Sequence, residues 1–533
     1  GAAPAASQVL YGSIIGTVND ATGAALPGAA VTIEQTETQL TRELVTDASG
    51  NYHFTAVPTG TYRISVKMNG FRTYSRTGVP ITLNSVARVD AKLELGQVSE
   101  TVIVSGSDSP VLQTDRAEVR AELKARELRD LPVPLGRNYQ QLFKVIPGFT
   151  PPADAHSIPS NPSRALVFNV NGASRSANNT RIDGVSTTNV WLPHVAAYVP
   201  ALESIETVNV VTNSFDAEQG LAGGSAINVQ IKSGTNQFKG SAFEYHTNEA
   251  MRSLNYFAPA GTPKGKWRYN QYGATLGGPI LKNKLFFFGS YEGTRDQQNV
   301  TRTISVPTEA LRQGDLSGSP NPIYDPATGT STGAGRTPFP GNVIPADRID
   351  PTAQKLISLL PLPNLRNADG SVPLTNNLFL AAPFVFNRWT FDSKVNWNAT
   401  PKLNLFGRYS QLDFFTFNET VLGPVLQGAP IGGGNPGEGR GTTYNFSTGG
   451  TYSFSPTLVA DAHFGYVRMG TGVEHTDVGQ NKGADLLGIP GLNGPRKFEG
   501  GMPVFDFDTY QDIGITELYM PYYRNDDQYQ TVL

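Results

Sequence analysis

The sequence predicts a mainly β protein: an N-terminal β-sandwich, an α+β middle domain, and then the first strands of an antiparallel transmembrane β-barrel. Three observations predict it. Apolar and polar residues alternate with period two along many runs, short at first and longer after Thr235. The later runs are joined alternately by short and long links, as in barrels that turn tightly on one side of a membrane and loop widely on the other. No apolar run approaches the ~18 residues of a membrane-spanning helix, whereas a closed sheet satisfies its backbone groups inside lipid.

Composition narrows the classes further. The chain has 533 residues, 39% of them hydrophobic, and a net charge of -3, which fits neither a disordered chain nor a basic nucleic-acid binder. Only 16% of residues are charged while 10% are aromatic, a balance suited to a protein that places much of its surface in something other than water. With no cysteine, disulfides, thiolate metal sites and cysteine nucleophiles are excluded. The opening Gly1-Ala2-Ala3-Pro4-Ala5-Ala6 reads as the small-residue region that follows a signal cleavage site, so export is expected.

Residues 1–8 are read as a tail and 9–95 as the sandwich. In Thr61 to Met68, the residues Tyr62, Ile64, Val66 and Met68 point inward and Arg63, Ser65 and Lys67 outward, and Ala87 to Leu95 repeats the pattern as one strand. Asp47 to Asn51 lacks the acidic spacing of a calcium loop and reads as a turn closed by an aspartate. Residues 96–112 form a linker carrying Thr101-Val102-Ile103-Val104-Ser105, a short β-branched run suited to pairing with an exposed sheet edge, or else the last strand of the sandwich.

The middle domain is assigned to 113–234. Lys124 to Leu131 and Asn138 to Ile146 read as short helices, the second with Tyr139, Leu142, Phe143 and Ile146 on one face and Pro147-Gly148 as its stop. Strands are expected at Leu166 to Asn171, with Leu166, Phe168 and Val170 on one face, at Glu203 to Val211, and at Ala226 to Asn236. A Gly-broken segment, Phe215 to Ser225, precedes the last of these, and Asp183-Gly184 marks a turn in which Asp supplies the local hydrogen bond.

Residues 235–533 hold candidate barrel strands near 237–246, 268–280, 285–293, 386–398, 403–411, 442–454, 458–469 and 523–533. Trp389, Phe391, Val395 and Trp397 share one face of a strand whose other face carries Arg388, Thr390, Asp392, Lys394 and Asn396. Short links fall at 281–284, 399–402 and 455–457. Eight strands closed on themselves leave no room inside for a domain the size of the middle one, so the chain is expected to be the N-terminal part of a longer protein.

Two sets of motifs resemble known families. Gly16-Thr17-Val18 to Asp20, Thr46 to Tyr52 and Val57 to Tyr62 are similar to the carboxypeptidase regulatory-like domain, which implies a transthyretin-like sandwich without activity of its own. Leu131 to Asn138, the Asp183-Gly184-Val185 turn, Glu203 to Gly220 and Gly223 to Asn236, followed by Gly277 to Ile280 and Leu285 to Gly293, resemble the plug and opening strands of TonB-dependent outer-membrane receptors, closest to the Oar-like branch. Val211 to Ser214 departs from the Arg-Gly-Pro of siderophore receptors, which weakens any inference of an iron chelate.

The resemblance implies an outer-membrane protein with its N-terminal domain in the periplasm. Thr101, Val102, Ile103, Val104 and Ser105 would pair with TonB, outer-membrane lipid would surround the strands, and an extracellular ligand, bulky in the manner of a peptide or oligosaccharide, would bind above the plug. Plug loops in such proteins face outward, which makes His156, Trp191, His194 and Tyr198 the candidate contacts; the alternative for Trp191 and Tyr198 is packing against the barrel wall. A metal site from His156 and His194 needs further ligands that the sequence does not place. No zinc-protease HExxH, Gly-x-Ser-x-Gly elbow or phosphate loop is present, so neither catalytic residues nor a cofactor are expected. The competing class is a surface-exposed structural or adhesive protein.

Overall fold

The computed structural model describes residues 11–97, 101–105, 118–215, 222–254, 256, 263–455 and 458–533. The predicted tail at 1–8, most of the linker and the Gly-broken segment from 216 to 221 lie outside the described residues.

The N-terminal part is a sandwich of two sheets. Strands β1 (Tyr11–Asp20), β2 (Ala30–Gln35), β3 (Thr41–Val45), β4 (Asn51–Pro58), β5 (Gly60–Lys67), β6 (Thr73–Ile81), β7 (Val86–Arg88), β8 (Ala91–Leu93) and β9 (Thr101–Ser105) build it. One sheet runs β4-β1-β7 with β8 also on β1; the other runs β3-β2-β5-β6-β9. Their facing sides interdigitate Ile14, Val18, Val31, Phe54, Tyr62, Ile64, Val66 and Val89, all buried. The predicted strand from Ala87 to Leu95 is broken in two. Its buried set, Ala87, Val89, Ala91 and Leu93, is as expected, but Asp90 turns its carboxylate onto β1, accepting from the Thr17 amide and hydroxyl at 2.9 and 3.0 Å. Asp47 closes its turn by accepting from the Ser49 and Asn51 amides at 2.9 and 2.8 Å, the arrangement of an Asx turn.

The middle domain contains β10 (Val119–Lys124), a helix at Ala125–Asp130, a 3-10 helix at Tyr139–Val145, β11 (Ala153–Asp154), β12 (Leu166–Val167), β13 (Asn178–Ile182), β14 (Val185–Ser186), β15 (Ile205–Asn213) and β16 (Ser225–Ile231). Its main sheet has the order β10-β15-β16-β13-β14. Asn138 caps the 3-10 helix by accepting from the Gln140 amide, and Tyr139, Leu142, Phe143 and Ile146 bury the face that the spacing predicts. Only Leu166 and Val167 of the run to Asn171 pair as a strand; the alternation nonetheless buries Leu166, Phe168 and Val170.

Eight long strands follow: β17 (Lys239–Asn248), β18 (Trp267–Leu281), β19 (Leu285–Ile304), β20 (Leu378–Thr400), β21 (Leu403–Asn418), β22 (Gly437–Ser455), β23 (Leu458–Glu474) and β24 (Tyr522–Val532). They form one antiparallel sheet in sequence order, with β17 and β24 as its two edges. All eight predicted strands are present, several longer than predicted. The middle domain fills the concave side of this sheet, so that Phe288, Phe386, Leu412 and Phe414 of the wall join its core.

The sandwich sits at the short-turn end. The Asn236 amide donates to the Glu37 carbonyl at 3.1 Å, Asn209 Nδ2 donates to the Leu83 carbonyl at 3.0 Å, and the Tyr11 and His463 rings lie 6.3 Å apart. Between middle domain and sheet the chain passes Gly234, where an added Cβ would stand 2.3 Å from the Phe287 carbonyl oxygen and 2.6 Å from that of Gly278. Backbone cannot yield as a flexible side chain does. Gly234→Ala is therefore expected to cost about 1–3 kcal/mol, read as a lower urea midpoint of the purified protein at unchanged m-value.

Candidate functional site

Along much of β20, β21 and β22 the polar face is the buried one. On β20, Thr390, Asp392 and Lys394 are 2%, 0% and 5% exposed, whereas Phe391, Val395 and Trp397 are 36%, 41% and 48% exposed. On β21, Arg408 and Ser410 are buried and Leu405 and Tyr409 are not. A water-soluble sandwich would bury the opposite face. The exposed apolar side, with Tyr291, Phe446, Tyr452, Phe454 and Phe464, suits lipid. Residues 230–532 match the family described as outer membrane beta barrel domain. The chain belongs to that outer-membrane β-barrel family. Its place is the outer membrane.

Residues 13–94 of this barrel protein match the carboxypeptidase regulatory-like domain. The chain is also similar to the TonB-dependent transporter Oar of Myxococcus xanthus, at 31% identity over 336 residues, covering 58% of this chain and 30% of that protein. It thus spans under a third of that relative's length. Solved structures that resemble it include the outer membrane transporter YddB from Escherichia coli, at 13% identity over 77% of this chain and 44% of that one, with a TM-score of 0.44. Another is the siderophore receptor PirA from Acinetobacter baumannii, at 12% identity over 77% and 48% of the two chains, with a TM-score of 0.38.

Inside the barrel wall, the middle domain is held by a buried charge cluster. Asp183 and Gly184 both adopt positive φ, 44° and 82°, which makes the two-residue β13–β14 loop a type I′ hairpin turn. The sequence reading had the Asp183 side chain close that turn. It instead points into the wall: Oδ1 accepts from Lys394 Nζ at 2.9 Å and from the Ile231 amide at 3.3 Å, and Oδ2 lies 3.1 Å from Arg408 Nε as an ion pair. Side chains of all three are at most 5% exposed. Arg408 continues the network to Asn445 Oδ1 at 2.9 Å and Ser410 Oγ at 2.7 Å. Ser410 Oγ in turn donates to Asp392 Oδ1 at 2.7 Å.

Tyr198 joins the same network from the middle domain. It is fully buried, and its hydroxyl donates to Asp392 Oδ1 at 2.9 Å. Burial, then the neighbouring Asp392 carboxylate, holds the phenol well above its ordinary pKa. Sequence reasoning missed Asp183, Lys394 and Arg408 as a unit. The available signal was a Lys and an Arg on the lumen faces of adjacent strands, which require a buried anion opposite them.

At the long-loop end, His156, His194 and Trp191 come together. His156 Nε2 and His194 Nε2 are 2.7 Å apart. Burial, then Arg175, pushes both imidazoles below their ordinary pKa, with Arg524 adding to the effect on His156. Trp191 is 55% exposed; its Nε1 donates to Asp526 Oδ1 on β24 at 2.5 Å, and Arg524 sits 5.2 Å over its ring. The loop around His156 is tied to the barrel rim, Ser157 Oγ donating to Asn435 Oδ1 at 2.5 Å and Thr471 Oγ1 to the Pro159 carbonyl at 2.6 Å.

At the short-turn end, Thr101 to Ser105 form strand β9, parallel to β6 with Thr101 opposite Thr73 and Ser105 opposite Thr77. It is an edge strand. A cleft of about 650 Å³ opens between sandwich, middle domain and wall, lined by Glu37, Thr59, Lys124, Glu203 and Lys232 and reaching Lys394.

Proposed function

We propose that the chain acts in a TonB-dependent outer-membrane transporter that imports a bulky ligand, with the middle domain as its plug and the sandwich in the periplasm. One observation carries this reading: a domain with its own five-stranded sheet, lodged against the lumen face of an outer-membrane barrel wall and held there by a buried ion cluster. A ligand meets the plug at the His156, Trp191 and His194 face. At the other end TonB takes up the β9 segment, and force applied there moves the plug.

The geometry supports that division of labour. The plug's tie to the wall is ionic and buried, so thermal motion does not release it, while the segment to be pulled is an edge strand of five residues. No bond is made or broken in the ligand, and the residues at the outer face do positioning rather than chemistry. The reading is tested by offering cells that express the protein labelled peptide and oligosaccharide libraries with and without a protonophore. Accumulation that needs both the protein and the proton gradient is expected; equal accumulation with the gradient collapsed overturns the reading.

A further inference from the structure

The lipid face of the wall carries two arginines that the protein itself does not pair. Arg268 on β18 and Arg295 on β19 are both exposed. On β19 the outward series runs Phe287, Gly289, Tyr291 and Gly293 before it reaches Arg295; on β18 it runs Leu276, Ala274, Tyr272 and Asn270 before Arg268. Arg295 lies ten residues beyond Leu285, the first residue of β19 after its short turn. At about 3.3 Å per residue and a strand tilt of about 40°, that length crosses the ~25 Å apolar band of a barrel. Arg295 therefore stands at the outer rim of the band, with Arg268 one row above it, at the depth of the outer leaflet's headgroups.

Their neighbours across the ladders are all neutral amides. Arg268 faces Asn248 and Gln297, and Arg295 faces Asn270 and Asn387. The two arginines are diagonal to each other, a backbone spacing of about 7–8 Å that long side chains bridge. Among the described residues no carboxylate pairs with either of them. Glu244 stands opposite Tyr272, and Glu249 accepts from the Trp267 amide at 3.1 Å outside ion-pair range of Arg268. Elsewhere on the outward face the arginines are matched: Arg440 has Glu438 at 3.0 Å and Arg468 has Asp527 at 3.9 Å. Below the unmatched pair lies an aromatic shelf. The Tyr272 and Tyr291 rings are 6.4 Å apart, and Tyr291 stacks on Trp389, also at 6.4 Å. Tyr272 lies over Gly293, where an added Cβ would stand 2.8 Å from its ring, and its hydroxyl accepts from Arg295 Nε at 3.4 Å.

We propose that Arg268 and Arg295 form a binding site for the phosphate headgroup of an outer-leaflet lipid whose acyl chains lie along Tyr272, Tyr291 and Trp389. Chemistry selects the group. A guanidinium pairs a phosphate through two parallel N–H bonds, and one phosphate between the two arginines has acceptors for both. Left to water, the pair sets two like charges on adjacent rows; an anion from the leaflet relieves that repulsion where the protein supplies none. The rings meet the lipid where its chains begin, the place that suits side chains with an apolar body and a polar tip. The site rests on the barrel's place in the outer membrane and is independent of the transporter reading.

The test uses the full chain purified in detergent, stripped of lipid and titrated under native mass spectrometry. The probes are lipid A carrying both of its phosphates and the same lipid after phosphatase treatment. Removing the phosphates should weaken retention about 10-fold or more. Arg268→Gln combined with Arg295→Gln should lower affinity for the phosphorylated lipid by a similar factor and leave that for the dephosphorylated lipid unchanged, which also shows that the variant is folded. Arg440→Gln, at a position already paired, should bind as the native chain does. Inorganic phosphate in millimolar excess should fail to displace the lipid, because it lacks the chains that the shelf holds. Equal retention of the two lipids by the native chain overturns the site, as does unchanged affinity in the double variant. Displacement by inorganic phosphate alone overturns the assignment to a lipid.

Discussion

Asp183→Ala is expected to loosen the middle domain from the wall by about 3–5 kcal/mol. The substitution removes the anion that faces Lys394 and Arg408, whose side chains are 5% and 0% exposed. Arg408 is fully enclosed and Lys394 touches only the cleft at the short-turn end, and Asp392 is already shared between Tyr198 and Ser410. The cost is the desolvation of two uncompensated charges rather than the strength of the pair itself. For the same reason, Asp183→Leu combined with Lys394→Met is expected to recover a large part of the loss, because one cation and its anion leave together. The check is limited proteolysis within the middle domain under increasing urea. Asp183→Ala should become cleavable at much lower urea than the native chain, and the double variant should lie between them. Equal protection in all three would show that the cluster does not hold the domain.

The wall was legible because strands such as β20 and β22 announce the lumen face in polar residues and the lipid face in apolar ones. The predicted β19 stopped at Gly293 because Thr294 to Thr303 is polar on both faces. Such a stretch reads as a loop when lipid is taken to set the pattern, yet it continues as strand to Ile304, paired throughout with β20. About 9–11 residues suffice to cross a bilayer, so the remainder of this 20-residue strand stands beyond the apolar band, where no hydrophobic period is imposed.

Contacts between distant loops were not legible. Asp183-Gly184 announced a turn, and a local side-chain bond was the economical reading; only the register of β20 and β21 against the turn reveals that the carboxylate is needed elsewhere. His156 and His194 each appeared as one polar residue in a loop. Their convergence depends on how two loops are pinned to the barrel rim, through Ser157, Pro159 and Trp191, and no periodicity encodes that. The break between β7 and β8 has the same origin, since Asp90 follows the pull of Thr17, 73 residues away.

Deleting Thr101–Ser105 is expected to abolish gradient-driven accumulation completely while leaving ligand binding at the His156, Trp191 and His194 face unchanged. The segment lies at the opposite end of the molecule from that site, so its loss removes the handle and spares the outer face. Its structure also separates two ways in which TonB can engage it. As a parallel edge strand on β6, β9 directs alternate backbone groups inward to its neighbour and outward to solvent. A partner strand can add to the outward edge, or it can displace β6 and take the inward one. Val102→Pro and Ile103→Pro remove N–H groups that point to opposite edges. If TonB adds to the open edge, the variant lacking the outward N–H loses binding of the TonB periplasmic domain and the other keeps it. If TonB displaces β6, the inward group is the one that matters, and because it also holds β9 in the sandwich, the outward variant should bind as the native chain does. Accumulation that survives the deletion would remove β9 from the mechanism altogether. The energetics make either route feasible: a five-residue edge ladder is held by a few backbone hydrogen bonds, each contributing about 0.5–1.5 kcal/mol net, a sum comparable with the buried cluster that the applied force must then break.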